Sequence, residues 1–192
     1  MLLHDAKLHL VRAGFEHAYV VADEKTGLLA IESSYGIFNH VWPPRHRRSD
    51  LPIFLARLGM DYFMSKARGN GAQIFDLDAT VKAMKDVVLE ARRAANIDKF
   101  RAREAWDAIE DVKAENPQTS EHCSTLIFDV ADGETLPEIL GSEWYELLAT
   151  TASPECVGFW KTLWPSVITS LHCHAGLENP FPETDAPEGN PT

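Results

Sequence analysis

The stretch 18-AYVVADEKTGLLAIESSYGIFNHVW-42 decides the fold. Residues 18–22, 28–33 and 35–42 are three runs rich in Val, Ile, Leu, Tyr and Phe, side chains that suit a pleated, half-buried surface. The segments between them are too short to hold a helix, and connections that short join antiparallel neighbours. DEKTG supplies the first turn, with Gly27 free to take a positive φ. Gly36 marks a bulge or a second tight turn. Upstream, residues 7–11 alternate polar and apolar and add a further strand to the meander. Pro43 and Pro44 end the strand run, because neither can donate to a ladder.

From Leu51 the apolar period becomes helical. Ser49 or Asp50 caps the first segment, Pro52 lies in its first turn, Gly59 divides it and Gly69 closes it. In 75-FDLDATVKAMKDVVLEARRAAN-96 the apolar positions 77, 81, 84, 88, 91 and 95 form one stripe, with acids at the start and Arg92 and Arg93 near the end. A second helix starts at Asn96 or Asp98, turns Ala102, Ala105, Trp106, Ile109 and Val112 inward, and stops at Pro117. Residues 119–131 read equally as strand or helix. One helix is expected within 136–151. Another begins at Ser153, has Pro154 at its first position and is kinked or restarted at Pro165. The expected architecture is α+β: a small N-terminal antiparallel β-sheet followed by a helical body of about five helices. It forms one domain over residues 1–176, with the sheet in 1–44 and the helices in 49–176. Residues 177–192, acidic and proline-rich, are expected to be a disordered tail.

With 192 residues and 45% apolar content the chain can bury a substantial core. It contains no apolar run long enough for a transmembrane helix. The first residues lack the basic flank and cleavage site of a secretory signal. Three cysteines, an odd count, point to a reducing compartment, so a cytoplasmic protein is expected. The net charge of −11 is unevenly spread. Residues 1–103 hold 16 Lys/Arg against 12 Asp/Glu, a net of +4; residues 104–192 hold 2 against 17, a net of −15. Such a split speaks to partners and encounter, not to fold.

Candidate chemistry is sparse. The stretch 170-SLHCHAG-176 sets His172, Cys173 and His174 in a row, and His122–Cys123 lies upstream. On a helix successive side chains diverge by about 100°, so three neighbours cannot share one metal, and no zinc-type ligand spacing occurs. The segment reads as the frayed end of the last core helix. A metal- or thiol-dependent enzyme would need His122, Cys123, Cys156, His172 and His174 to converge in space. No phosphate-binding glycine motif is present. Arg45, Arg47 and Arg48, next to Trp42, offer phosphate contacts and a stacking ring to a nucleic acid. No catalytic residue, cofactor or metal is expected.

The acidic face carries more weight. Glu104, Asp107, Asp111 and Glu115 fall on one side of a helix, opposite Ala105, Ile109 and Val112. Like charges at this spacing cost a few tenths of a kcal/mol per pair, unless a partner compensates. With Glu110, and with Glu143 and Glu146 further on, they make up the expected partner-binding set.

The segments 60-MDYFMSKA-67, 75-FDLDATVKAMKDVVLEARR-93, 102-AREAWDAIED-111 and 153-SPECVGFWKTLWPSVITSL-171 resemble small acidic proteins encoded by temperate phages and prophages. The matching features are Asp61, Tyr62 and Lys66, then Phe75-Asp76, Glu104 to Asp107, and Trp164-Pro165. The likeness covers about residues 15–171. It implies action in a bacterial host cytoplasm, transfers no catalytic residue, and places the chain among accessory proteins that include inhibitors of host defence such as anti-CRISPR proteins. The expected partner is a basic surface of a host protein or ribonucleoprotein, a CRISPR effector first. A homodimer that joins the +4 and −15 halves of two copies is a further expectation.

Overall fold

The computed structural model describes residues 6–43, 50–129 and 135–180. In chain order its elements begin with strands β1 (Lys7–Ala13), β2 (Glu16–Asp23), β3 (Leu28–Ser33) and β4 (Gly36–Val41), then helices α1 (Asp50–Ala56) and α2 (Met60–Ala67). A short strand β5 (Gln73–Phe75) precedes α3 (Leu77–Arg93), α4 (Lys99–Ala114), α5 (Ser120–Asp129) and α6 (Thr135–Leu140). A 3₁₀ turn (Trp144–Leu147), strand β6 (Thr150–Ala152), α7 (Pro154–Thr162) and α8 (Trp164–His174) follow. The chain divides into two compact units, Met1–Ala72 with Ser153–Thr192, and Gln73–Ala152.

The first unit is a four-stranded antiparallel meander in the order β1-β2-β3-β4, with helices on one face. Its register aligns Leu10, Tyr19, Glu32 and Ile37 in one cross-strand row, and Val11 with Ala18 and Val20 with Ile31 and Phe38 on the other face. These inward residues are buried, as the period of two demands. The first hairpin turns where it was expected. Asp23 Oδ1 accepts the Lys25 N–H at 2.9 Å, and the Gly27 N–H donates to the Asp23 carbonyl at 2.8 Å. Gly27 has φ 73°, and a Cβ there would lie 1.6 Å from the Trp42 carbonyl oxygen, so only glycine fits.

An aromatic cluster holds the helices to the sheet. Phe63 of α2 is fully buried, with ring centroids 6.4 Å from Phe38, 6.0 Å from Trp42, 6.2 Å from Phe159 and 4.3 Å from Trp164. Phe38 stacks on Phe159 with ring centroids 4.2 Å apart and planes 25° from parallel. Ser153 caps α7 by accepting the Cys156 N–H, and Pro154 occupies its first turn. The expected break at Pro165 is seen between α7 and α8. The end of α8 is not frayed as expected. The Leu177 N–H donates to the His172 carbonyl at 2.9 Å and the Gly176 N–H to that of Cys173 at 3.2 Å, with Gly176 at φ 69°, which is a Schellman closure.

In the second unit Asp76 and Asp98 cap α3 and α4 by accepting the N–H groups of Ala79 and Arg101. Val81, Met84 and Val88 meet Ala105, Ile109 and Val112, with Cys123, Ile127 and Leu136 completing the core. Thr80 is buried because its hydroxyl accepts the Ala149 N–H at 2.9 Å. Ala95, placed on the α3 stripe by periodicity, lies beyond the helix end at φ 57°.

The α+β class stands, but eight helices are present among the described residues where about five were expected. Residues 120–129, ambiguous in sequence, are helical. The single helix expected within 136–151 is instead α6, the 3₁₀ turn and β6, because Gly141 at φ 85° reverses the chain. The pair β5 and β6 was not foreseen; three residues each are too few for an alternation to register. The tail expectation falls largely on residues 181–192, outside the described residues.

Phe63→Ala is expected to cost about 3–5 kcal/mol in a denaturant titration, the usual effect of emptying a buried phenyl site. Phe15→Ala, at a fully exposed turn position, is expected to shift stability by less than about 0.5 kcal/mol. Similar effects at both positions would contradict the core assignment.

Candidate functional site

The acidic face is carried by α4. At about 100° per residue, Phe100, Glu104, Asp107, Asp111 and Glu115 fall within an arc of about 80°, and all five are exposed. The buried line Ala105, Ile109 and Val112 lies on the other flank. Phe100 is 79% exposed, an aromatic ring at the head of a row of carboxylates. It was missed in the sequence, although its position off the Ala105–Ile109–Val112 stripe is the signal that places it outside.

The carboxylates differ in what balances them. Glu110 turns toward α3 and pairs with Lys85, whose ammonium also sits 4.7 Å over the Trp106 ring. The hydrogen bond from Lys85 holds the Glu110 carboxyl below its usual range. Asp107 accepts from Arg103 at 2.9 Å one turn before it. Lys113 reaches Asp78 on α3 at 3.0 Å, and this hydrogen bond raises its pKa. Arg101 binds Glu138 of α6 at 2.6 Å. Among the described residues Glu104, Asp111 and Glu115 form no ion pair. Glu143 and Glu146 are exposed at the 3₁₀ turn, which packs on α3.

The charge split read along the chain is redistributed by the fold. Position 103/104 falls inside α4, and ion pairs run both ways between α3 and α4, Lys85 to Glu110 and Lys113 to Asp78. Counted by unit, Gln73–Ala152 holds 8 Lys/Arg against 17 Asp/Glu, a net of −9. The other unit holds 10 against 12, a net of −2.

The Cys/His residues do not assemble. Cys123 is buried in the core of the second unit, and burial pushes its thiol up to about 11, away from thiolate character. His122 beside it is exposed. Cys156 is buried in the first unit and Cys173 is exposed. His172, not His174, is the inward residue of its segment. Its Nε2 lies 3.1 Å from the Pro52 carbonyl oxygen and its Nδ1 3.0 Å from that of Glu178, which pins the end of α8 to α1. Among the described residues no three His, Cys, Asp or Glu side chains are grouped so as to hold a metal ion. Arg45, Arg47 and Arg48 lie outside the described residues. Trp42, the ring expected to stack on a base beside them, is instead buried between Phe54 and Phe63.

One further cluster lies in the first unit. His9 of β1 contacts the Ser170 hydroxyl at 3.0 Å, and its ring meets the exposed His174 edge-on at 5.0 Å. With Lys7, Leu51 and Leu171, the two histidines line a cavity of about 270 Å³. Burial lowers the His9 pKa first, and the positive potential of His174 and Lys7 lowers it further.

A family model described as a phage family matches residues 5–169, and the chain belongs to that family. The match spans all of the second unit and stops just before the His172–His174 segment. No curated protein and no solved structure matches the chain. No helix among the described residues is long and apolar enough to cross a membrane.

Two measurements check these placements. A thiol reagent applied to the native protein is expected to modify Cys173 and spare Cys123 and Cys156; rapid labelling of Cys123 would restore a nucleophilic role. In an NMR titration His9 is expected to release its proton below the usual midpoint of about 6.5, and His174→Gln is expected to raise that midpoint. Because folding favours neutral His9, its contribution to stability falls as pH drops through about 6.5, where the unfolded chain takes up the proton.

Proposed function

We propose that this phage-family protein is an interaction protein of the host cytoplasm that docks the α4 face on a basic, nucleic-acid-binding surface of a host complex and so excludes the nucleic acid. An inhibitor of a host-defence complex, with a CRISPR effector as its target, is the most concrete form of this reading. The observation that carries it is the row Glu104, Asp111 and Glu115, which has no ion pair among the described residues and begins at the exposed ring of Phe100. A carboxylate row steers encounter with a cationic surface and favours the correct register. An aromatic side chain at its head supplies the desolvated anchor on which interface energy concentrates. The paired acids Asp107 and Glu110 contribute less, since Arg103 and Lys85 already screen them. The −9 balance of the unit adds long-range attraction without demanding a particular contact.

The test is capture of partners from host lysate by the wild-type chain and by the double variant Glu104→Lys/Asp111→Lys. The wild type is expected to retain a basic protein or ribonucleoprotein that the variant loses. That complex should weaken steeply between about 50 and 500 mM salt, over which the Debye length shrinks about threefold. Phe100→Ala is expected to weaken it about tenfold or more, the cost of removing an interface anchor. A complex indifferent to salt and to the charge reversal would sink the reading.

A further inference from the structure

Among the described residues the meander of the first unit has helices on one face only, and its other face is unusual for an antiparallel sheet. Such sheets commonly set polar residues toward water on the uncovered side. Here the outward positions are largely apolar: Leu8 is 69% exposed, Leu10 52% and Ile37 54%, with Tyr19 and Val41 also exposed. The register makes them contiguous. Leu10, Tyr19, Glu32 and Ile37 form one row across all four strands, and Leu8, Val21, Ala30 and Asn39 form the next. Leaving this much apolar surface in water forgoes about 25 cal/mol for each Å² that a cover would bury.

Area and charge point to what covers it. Four strands spaced about 4.8 Å apart, over six residues rising about 3.3 Å each, present roughly 400 Å² in projection, within the range of patches that mark interaction sites. Two such faces packed together, side chains included, remove on the order of 1,000 Å² from water, the lower limit of a specific interface. Among the outward positions of β1–β4 the exposed charged side chains are one cation, Arg12, and one anion, Glu32; Asp23, in register with Leu28 and Val41, is buried in the first turn. The face is therefore close to neutral in a chain of net charge −11, and it belongs to the unit of net −2. A face this close to neutral adds little repulsion between two copies, and a two-fold axis allows Arg12 of one copy to meet Glu32 of the other. A basic host surface of the kind that fits α4 finds no row of carboxylates on this face, only Glu32 offset by Arg12.

We propose that the outward face of the β1–β4 sheet is a self-association surface that pairs two copies of this chain face to face as a two-fold β-sandwich. Aligned sheets pack about 10 Å apart with their inner side chains interdigitated, and Leu10 and Ile37, at opposite ends of one row, anchor both margins. This arrangement is distinct from a head-to-tail joining of oppositely charged halves. It does not rest on the α4 reading, although a dimer would present two acidic faces and gain avidity on a target with two basic sites.

Sedimentation of the full chain from about 5 to 200 µM, a span suited to a micromolar dissociation constant, is expected to show a concentration-dependent species of twice the single-chain mass of 21.4 kDa. The dimer should persist in high salt, because apolar contact holds it. Leu10→Glu and, separately, Ile37→Glu should each give a monomer at every concentration, with circular dichroism and melting close to wild type since both side chains already face water. Glu104→Lys/Asp111→Lys should dimerise as the wild type does, so that failure of one proposal does not read as failure of the other. A wild-type monomer at about 200 µM, a dimer that survives both sheet substitutions, or one that salt dissociates would overturn the proposal. Capture of a host protein through this face by a chain that stays monomeric would overturn it as well.

Discussion

The packing of Phe63 among Phe38, Trp42, Phe159 and Trp164 is the interaction on which the first unit depends. A four-stranded meander with only local connections is marginal in water until one face is covered. The cover comes from α1 and α2, next in the chain, and from α7 and α8, which arrive only after the whole of the second unit has intervened. Neither part buries its apolar stripe without the sheet. The aromatic rings supply large areas at one point, so the N- and C-terminal parts of the unit close on the same centre. His172 adds a polar clasp by placing a ring nitrogen against the carbonyl of Pro52 on α1.

The second unit solves a different problem. Its helices carry more acid than base, and a bundle of like-charged helices repels itself. The fold reduces that repulsion by laying cations of α3 and of both ends of α4 against acids: Lys85 to Glu110, Lys113 to Asp78, Arg101 to Glu138. Exposed pairs of this kind contribute little stability singly, but they decide which carboxylates remain available. What is left over, Glu104, Asp111 and Glu115, is an ordered row on a rigid helix and not a diffuse negative surface. That distinction matters for recognition, because a fixed row with an aromatic head has a register that a partner can match.

Membership in a phage family and this row belong together in the functional reading, but they enter it differently. The family supplies the setting, that of a phage protein. The geometry supplies the contact surface that we propose. The apolar outer sheet face is a third and separate feature, on the unit that carries little of the charge, which gives the molecule one neutral surface and one acidic surface to use independently.

Much of the architecture was legible in the residues because its causes are local. Hairpin turns at Gly27 and Gly36, caps at Asp76, Asp98 and Ser153, and the restart at Pro165 each follow from the backbone freedom or hydrogen-bonding capacity of one residue. The amphipathic stripes of α3 and α4 follow from period alone. Tertiary structure decided the rest, because it depends on which residues meet. Three-residue strands such as β5 and β6 exist only by pairing with each other. The inward turn of His172 depends on the carbonyls of Pro52 and Glu178. The reduction of seven candidate carboxylates to a short unpaired row depends on Lys85, 25 residues from Glu110, on Arg103 one turn before Asp107, and on the placement of Glu143 and Glu146 at a separate 3₁₀ turn. Even the charge split, the strongest signal in the sequence, changed its boundary once α3 lay beside α4, since electrostatics acts through distance in space and not along the chain.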